Sequence, residues 1–314
     1  MDWYFIVLIC SIAFILLAMI PLFICYMMTF YSSHKDLTND EIILPNQPIY
    51  QLFKDNITKD ITDVRKLKYE EFSIKSFDGL TLYGKYYESI KGAPIEIMFH
   101  GYRGSGERDL STGVKRAFLC KRNALVVDQR ASGKSDGHTI SFGINERHDC
   151  LNWINFVVKH FGDDVKIILT GISMGAATVM MTTGEKLPSN VVCAIEDCGY
   201  TSVYDAYSYK IPKMIHIPSF PFVDIFRTAI KKRVGFDIKE ASALNQIKKS
   251  NTPTLFIHGN DDSVVPVSMA HELYNNASCE KELMVFKKAN HEMSALLYPD
   301  KYWNKVWEFI KKYE

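Results

Sequence analysis

The stretch Val165-Lys166-Ile167-Ile168-Leu169, followed by Thr170 and then by Gly171-Ile172-Ser173-Met174-Gly175, decides how the rest of the chain is read. Its apolar run predicts a strand, and residues 176 to about 186 predict a helix. A serine at the tip of so sharp a turn crowds its neighbours, so glycine is required two residues before it and two after. The turn lifts the Ser173 hydroxyl off the sheet edge. It also aims the next backbone N–H, on Met174, at a carbonyl oxygen that is turning negative, beside a helix N-terminus that favours such charge. Taken alone, the five residues also describe an ordinary tight turn, so their meaning depends on the other strand ends.

Alternation in residues 71–75 and 81–87, joined by Asp78-Gly79, predicts an antiparallel hairpin. Beyond it, apolar runs at 95–99, 124–127, 165–169, 191–195, 254–257 and 283–286 mostly alternate with helical stretches. That is the pattern of a parallel sheet covered on both faces, an α/β fold. Ligands of such sheets bind beyond the C-terminal ends of the strands, so the polar residues there carry the argument.

After 95–99 stands His100-Gly101-Tyr102-Arg103-Gly104-Ser105-Gly106. Such a loop either merely connects or turns a backbone N–H, that of Tyr102, towards Ser173 as a second oxyanion donor. After 124–127 stands Asp128-Gln129-Arg130-Ala131-Ser132-Gly133-Lys134-Ser135. Its Gly-Lys-Ser imitates a phosphate-binding loop, but that motif needs glycine where Asp128 stands, which excludes nucleotide binding of that kind. After 254–257 comes His258-Gly259-Asn260-Asp261-Asp262, and after 283–286 comes Lys287-Lys288-Ala289-Asn290-His291. A serine nucleophile needs a base, and the base needs a carboxylate to hold its tautomer. The order serine, acid, histidine is the one used with a strand-turn-helix nucleophile, so Ser173, Asp262 and His291 are the expected catalytic residues. Asp261 and Asp197 are rival acids. His271-Glu272 and His291-Glu292 suggest H-E-x-x-H zinc sites, but Asn275 and Ala295 stand where the second histidines belong, so no metal is expected.

These residues resemble the α/β-hydrolase superfamily, and within it the bacterial serine hydrolases grouped as serine aminopeptidase-like, monoglyceride-lipase-like and Bem46-like. The resemblance runs from about Tyr69 to the C-terminus. It rests on Phe77-Asp78-Gly79, His100-Gly101, Asp128-Gln129-Arg130, the Ser173 pentapeptide, His258-Gly259 through Asp262 to Val265-Pro266, and Asn290-His291. Ala131 departs from the glycine that relatives usually carry there, which puts the local backbone in question. The resemblance implies acyl transfer through an acyl-enzyme on Ser173, with no cofactor. The expected substrate is a small-molecule or lipid ester, with amide cleavage as the alternative and an idle hydrolase fold that only binds as a third reading. It also implies a cap at about 200–247, where the proline-studded run from Ile211 to Phe222 would line an apolar pocket. A basic end follows, Lys231-Lys232-Arg233, which suits either an anionic membrane surface or the helix's own dipole.

Residues 3–31 form a run with no charged side chain, long enough for the ~20 residues that a bilayer span needs. The start Met1-Asp2 and the length of the run disfavour a cleaved signal peptide, so the expectation is an N-terminal transmembrane anchor over 1–31, a polar stalk over 32–68 and a hydrolase domain over 69–314. Lys35, beside the run, and seven cysteines without C-x-x-C spacing favour a cytoplasmic catalytic domain. With 37 basic and 36 acidic side chains and no dominant basic stretch, nucleic acid is not an expected partner, and oligomeric state is unreadable.

Overall fold

The computed structural model describes residues 3–33, 42, 44, 48–216, 218–240 and 242–314, without the side chains of 12–18, 21–22, 48–49 and 214–215. Among them, strands β1 (Glu70–Lys75), β2 (Thr81–Tyr87), β3 (Ile95–Phe99), β4 (Asn123–Val127), β5 (Ile167–Ile172), β6 (Val191–Asp197), β7 (Thr254–Gly259) and β8 (Lys281–Phe286) form one sheet. Its order is β1-β2-β4-β3-β5-β6-β7-β8. The β1–β2 hairpin is antiparallel and joins β4 antiparallel, and every pair from β4 to β8 is parallel. Because β3 lies between β4 and β5, the chain reverses its direction of travel across the sheet there. The crevice so opened lies at the C-terminal ends of β3 and β5, which is where an open α/β sheet binds ligands.

Helices in chain order are α1 (Trp3–Thr29), α2 (Pro48–Leu52), α3 (Lys54–Arg65), α4 (Gly106–Leu119), α5 (Glu146–Phe161), α6 (Met174–Thr183), α7 (Val203–Ile215), α8 (Ser219–Val234), α9 (Ala243–Ile247), α10 (Val267–Asn276), α11 (Ser294–Leu297) and α12 (Pro299–Lys311). Strand alternation sorts them onto two faces. Ile95, Ile97 and Phe99 of β3, with Ile167 and Leu169 of β5, pack with Trp153, Ile154 and Val157 of α5. Met98 faces the other way, onto Leu110, Val114 and Ala117 of α4, and Ile168 packs with Val306, Phe309 and Ile310 of α12. Ser105 caps α4 by accepting from the Arg108 N–H at 3.2 Å, with Glu107 and Asp109 in the favoured first turn. Within the segment expected as a stalk, α3 lays Ile57, Ile61 and Val64 inward and packs against α4.

Between β6 and β7 the chain leaves the sheet to form α7, α8 and α9. Its two ends are tied together by a bridge between Ser202 and Ser242 and by the Leu244 N–H on the Thr201 carbonyl. The end of α8 does not project freely. Lys231 reaches Asp237 at 3.3 Å, and Arg233 covers the ring of Tyr26.

The apolar run at the N-terminus is one helix, α1, but the turn that ends it belongs to the protein core. Phe30 is 0% exposed, among the rings of Phe142, Phe226 and Phe236, and Tyr26 is buried beside it. Tyr31 pairs with Thr139 in an antiparallel bridge. Among the described residues no helix is long and apolar enough to cross a membrane, so the expected span over 1–31 is unsupported. At the end of the run Tyr26 and Phe30 face protein, whereas Met28 is exposed. Lys35, on which the orientation rested, lies outside the described residues.

Candidate active site

β5 runs through Gly171 and Ile172, and α6 starts at Met174, so Ser173 alone makes the turn. It does so at φ 55°, ψ −113°, a left-handed φ that a residue with a side chain holds only when its surroundings enforce it. The surroundings leave no alternative. A side chain at Gly171 would come 2.2 Å from the Gly175 carbonyl oxygen, and one at Gly175 would come 2.1 Å from that of Phe99.

Ser173 Oγ lies 2.8 Å from His291 Nε2, and His291 Nδ1 lies 2.7 Å from Asp262 Oδ2. The second carboxylate oxygen, Oδ1, accepts from the Val264 and Val265 N–H groups, each at 2.8 Å. Burial opposes ionisation of Asp262, but hydrogen bonds from His258 and His291 outweigh it and hold the carboxyl well below its ordinary range. An ionised Asp262 only accepts, so the proton sits on His291 Nδ1 and Nε2 is left to accept from the serine hydroxyl. Burial pulls the His291 imidazole down, yet its bond to Asp262 and the nearby Glu292 charge raise it above the ordinary histidine value of 6.5. Ser173 is 8% exposed, so this relay is largely screened from water.

The rival acids stand elsewhere. Asp261 is exposed, with its N–H on the Ala289 carbonyl. Asp197 is buried and bonded to Tyr302, and burial pushes its carboxyl up to about 6. Cys198, Asp262 and His291 bring potential ligand atoms within 4.8 Å of one another, but Asp262 and His291 are bonded to each other. Burial also raises the Cys198 thiol well above its usual value, which makes it a poor metal ligand.

The remaining motif residues build the frame. His100 Nε2 accepts from the Gln129 N–H at 3.1 Å, which leaves Nδ1 to donate to the Gly101 carbonyl at 2.8 Å. A neutral imidazole thus ties the loops after β3 and β4. Arg130 is buried and forks onto Asp149 at 2.6 and 2.8 Å and onto Asp78 of the hairpin turn at 2.9 and 3.2 Å. Ala131 takes φ 60°, so the backbone keeps a conformation that favours glycine and carries an alanine in it.

The prolyl oligopeptidase family model matches residues 139–314, more than half of the chain, and includes Ser173, Asp262 and His291. The chain belongs to the prolyl oligopeptidase family. It is thereby a member of the α/β-hydrolase superfamily of serine hydrolases, as the motifs imply. It is 32% identical over 189 residues to the Bacillus subtilis protein YqkD, an alignment that covers 60% of this chain and 62% of that relative. Its fold is similar to that of the Pyrococcus furiosus esterase Pf2001, with TM-score 0.65, 21% identity, and 88% and 99% of the two chains covered. The Pyrococcus horikoshii acylaminoacyl peptidase is also similar, with TM-score 0.57, 21% identity, and 80% and 43% covered.

Four residues of this family member border the relay, and the sequence assigns none of them a part in it: Asn290, His258 and Glu292 stand within quoted motifs, and Tyr50 stands in none. Asn290 Oδ1 accepts from the N–H groups of Ser263 at 2.9 Å and His291 at 2.8 Å, fastening the loop of the acid to the loop of the base. His258 Nε2 lies 2.9 Å from the Val265 carbonyl oxygen and 3.3 Å from Asp262 Oδ2. Glu292, at φ 61°, places Oε1 3.8 Å from His291 Nε2, and its Oε2 accepts from the Tyr50 hydroxyl at 2.7 Å. Asn290, His258 and Glu292 belong to those motifs, so the signal for them is their place beside Asp262 and His291 in the chain. Tyr50 offered none.

Proposed function

We propose that this protein is a serine hydrolase that cleaves carboxylic esters with an apolar acyl group through Ser173, His291 and Asp262. The observation that carries the reading is the unbroken relay from Ser173 Oγ to His291 at 2.8 Å and on to Asp262 at 2.7 Å, on a serine held at φ 55°. In this mechanism Ser173 Oγ attacks the substrate carbonyl carbon while its proton passes to His291 Nε2, and Asp262 stabilises the imidazolium. The carbonyl oxygen becomes an oxyanion that accepts from the Tyr102 and Met174 N–H groups, the latter at the first turn of α6. Collapse expels the alcohol, which takes the proton from His291. Water, deprotonated by the same nitrogen, then attacks the acyl-enzyme, and the acid leaves with Ser173 restored.

An apolar acyl group is favoured by the surroundings of the crevice, where Tyr102, Phe142, Tyr207 and Met174 pack into one cluster with the residues of α7 and α8. Amide cleavage is the second reading, favoured by the family match. Contact with a lipid surface belongs to the same proposal, supported by the exposed apolar side chains from Trp3 to Ile9 and those of Phe220, Phe222 and Ile225.

A fluorophosphonate probe tests the reading directly. Wild type is expected to be labelled and Ser173→Ala not. Across p-nitrophenyl esters of rising chain length and aminoacyl anilides, the esters should be turned over faster. Faster turnover of anilides would establish the peptidase reading, and absence of labelling would overturn hydrolysis by Ser173.

A further inference from the structure

The loop that carries Tyr102 is short and flanked by Gly101 and Gly104, the residues least able to hold a backbone in place by themselves. Its two ends are pinned by the hydrolase domain: the Gly101 N–H donates to Asp109 Oδ2 at 3.1 Å, and the Gly104 carbonyl accepts from the Ser132 hydroxyl at 2.6 Å. Its tip is pinned by α1. Arg103 Nη2 donates to the carbonyls of Met27 at 3.0 Å and Tyr31 at 2.8 Å. The Tyr102 hydroxyl is shared between the carbonyls of Met28 at 3.1 Å and Thr29 at 2.8 Å. Arg103 holds φ 53°, a left-handed conformation that needs such external support.

The chemistry of the contact explains why a helix end serves as the anchor. The last carbonyls of a helix lack N–H partners within it and form the negative end of its dipole, so they attract a guanidinium and accept a phenol hydroxyl. The anchor is itself immobilised. Phe30 is enclosed by Phe142, Phe226 and Phe236, the Ile140 N–H donates to the Phe30 carbonyl at 2.8 Å, and the Ser32 N–H to the His138 carbonyl at 2.9 Å. The ring of Tyr102 stacks on Phe142 at 5.1 Å, and Tyr207 is hydrogen-bonded to the side chain of Thr29.

We infer that the end of α1 and the two residues after it, residues 27–31, form a positioning element of the active site: through Arg103 and the Tyr102 hydroxyl they fix the direction of the Tyr102 N–H on which the oxyanion depends. The inference rests on the proposed acyl-transfer reading. It assigns to α1 a part in the rate of the reaction, beyond any part in where the protein resides. Arg103 and the α1 carbonyls act through Tyr102 and touch no substrate themselves.

The test uses the full chain. Tyr102→Phe, Arg103→Met and their combination are compared with wild type in kcat and KM on a p-nitrophenyl ester, in inhibition by a trifluoromethyl ketone of the same acyl group, and in thermal midpoint. Loss of one oxyanion donor lowers kcat by about 10²–10³-fold, so a donor that is only misdirected should cost about 10–100-fold in the double variant. KM should stay within about twofold, because ground-state binding does not use the developing charge. The inhibitor, whose adduct with Ser173 carries the oxyanion, should weaken by the same factor as kcat, and Arg103→Lys should recover part of both. Phe30→Leu gives the same comparison from the helix side should the double variant fail to fold. Unchanged kcat and inhibition, or a fall in kcat with unchanged inhibition, overturns the inference while wild type still reacts with fluorophosphonate. A wild type that does not react overturns the acyl-transfer reading and the inference with it.

Discussion

His258 Nε2 stands 3.3 Å from Asp262 Oδ2, the same oxygen that His291 Nδ1 meets at 2.7 Å. One carboxylate oxygen therefore serves two imidazoles, while its partner oxygen accepts two backbone N–H groups. An amide cannot replace it, since the NH₂ of asparagine would face a ring N–H or force His291 into the wrong tautomer. Asp262→Asn is expected to lower kcat by about 10⁴-fold, by analogy with serine-protease triads. Asp197→Asn, at a side chain bonded to Tyr302, should retain activity within about tenfold by the same logic. Steady-state kinetics of the two variants decide it, and the opposite ranking would transfer the role to Asp197.

Activity should depend on pH through His291. The base works only when neutral, and its bond to Asp262 together with Glu292 raises it above 6.5. A raised pKa extends the protonated, inactive form upward, so kcat/KM on a neutral ester should fall as pH drops through a limb lying above 6.5. Glu292→Gln removes one raising charge and should move that limb to lower pH. A limb that stays in place in this variant would show that the Glu292 charge does not reach the base.

Gly175→Ala should act through the backbone. The added carbon would lie 2.1 Å from the Phe99 carbonyl oxygen, in a strand held on both sides by β4 and β5. Overpacking of this kind costs about 1–3 kcal/mol, so the urea midpoint should drop. The fluorophosphonate reaction of the folded fraction should slow as well, because relief of the clash moves the Ser173 turn. A stable variant with normal labelling would show that the loops can separate.

Arg130 neutralises Asp149 where little water reaches. Even so, burial outweighs the guanidinium and pushes the Asp149 carboxyl up to about 6. Arg130→Met leaves that carboxyl buried and unpaired, at a cost of about 3–5 kcal/mol. The sign of its pH dependence follows from linkage: a raised acid binds its proton more tightly in the folded state, so stability falls as pH rises from the unfolded value of 3.8 towards the folded one. Without Arg130 the folded value rises further. The loss measured by urea unfolding should therefore be larger at pH 8 than at pH 5.

What was legible in the sequence is what short range decides. Six strands follow from apolar runs and the two of the hairpin from alternation, and the Ser173 turn follows from two glycines that the Phe99 and Gly175 carbonyls indeed crowd. β5 begins at Ile167 and not Val165, because the Val165 N–H closes a turn on Gly162, and it runs on to Ile172. The sequence favours Asp262 as the acid but leaves Asp261 and Asp197 as rivals, since all three stand at strand ends and only their partners distinguish them. The contacts of Tyr102 and Arg103 with α1 join residues more than seventy positions apart, and no periodicity encodes them. Hydropathy suggests a span because it counts apolar side chains, and it carries no information on the end of the run, where Phe30 faces three aromatic rings.

Those rings also set a schedule for biosynthesis. Phe142 leaves the ribosome long after Phe30, and Phe226 and Phe236 follow roughly two hundred residues after it, which at about 5–20 residues per second is a delay of about 10–40 s. Throughout that interval the end of α1 lacks the aromatic cage it will occupy. The nascent helix end keeps its apolar side chains uncovered until α8 and Phe236 have been made. Enclosure of the end of α1 is thus a late event in the life of the chain, although the helix is made well before the rings that surround it.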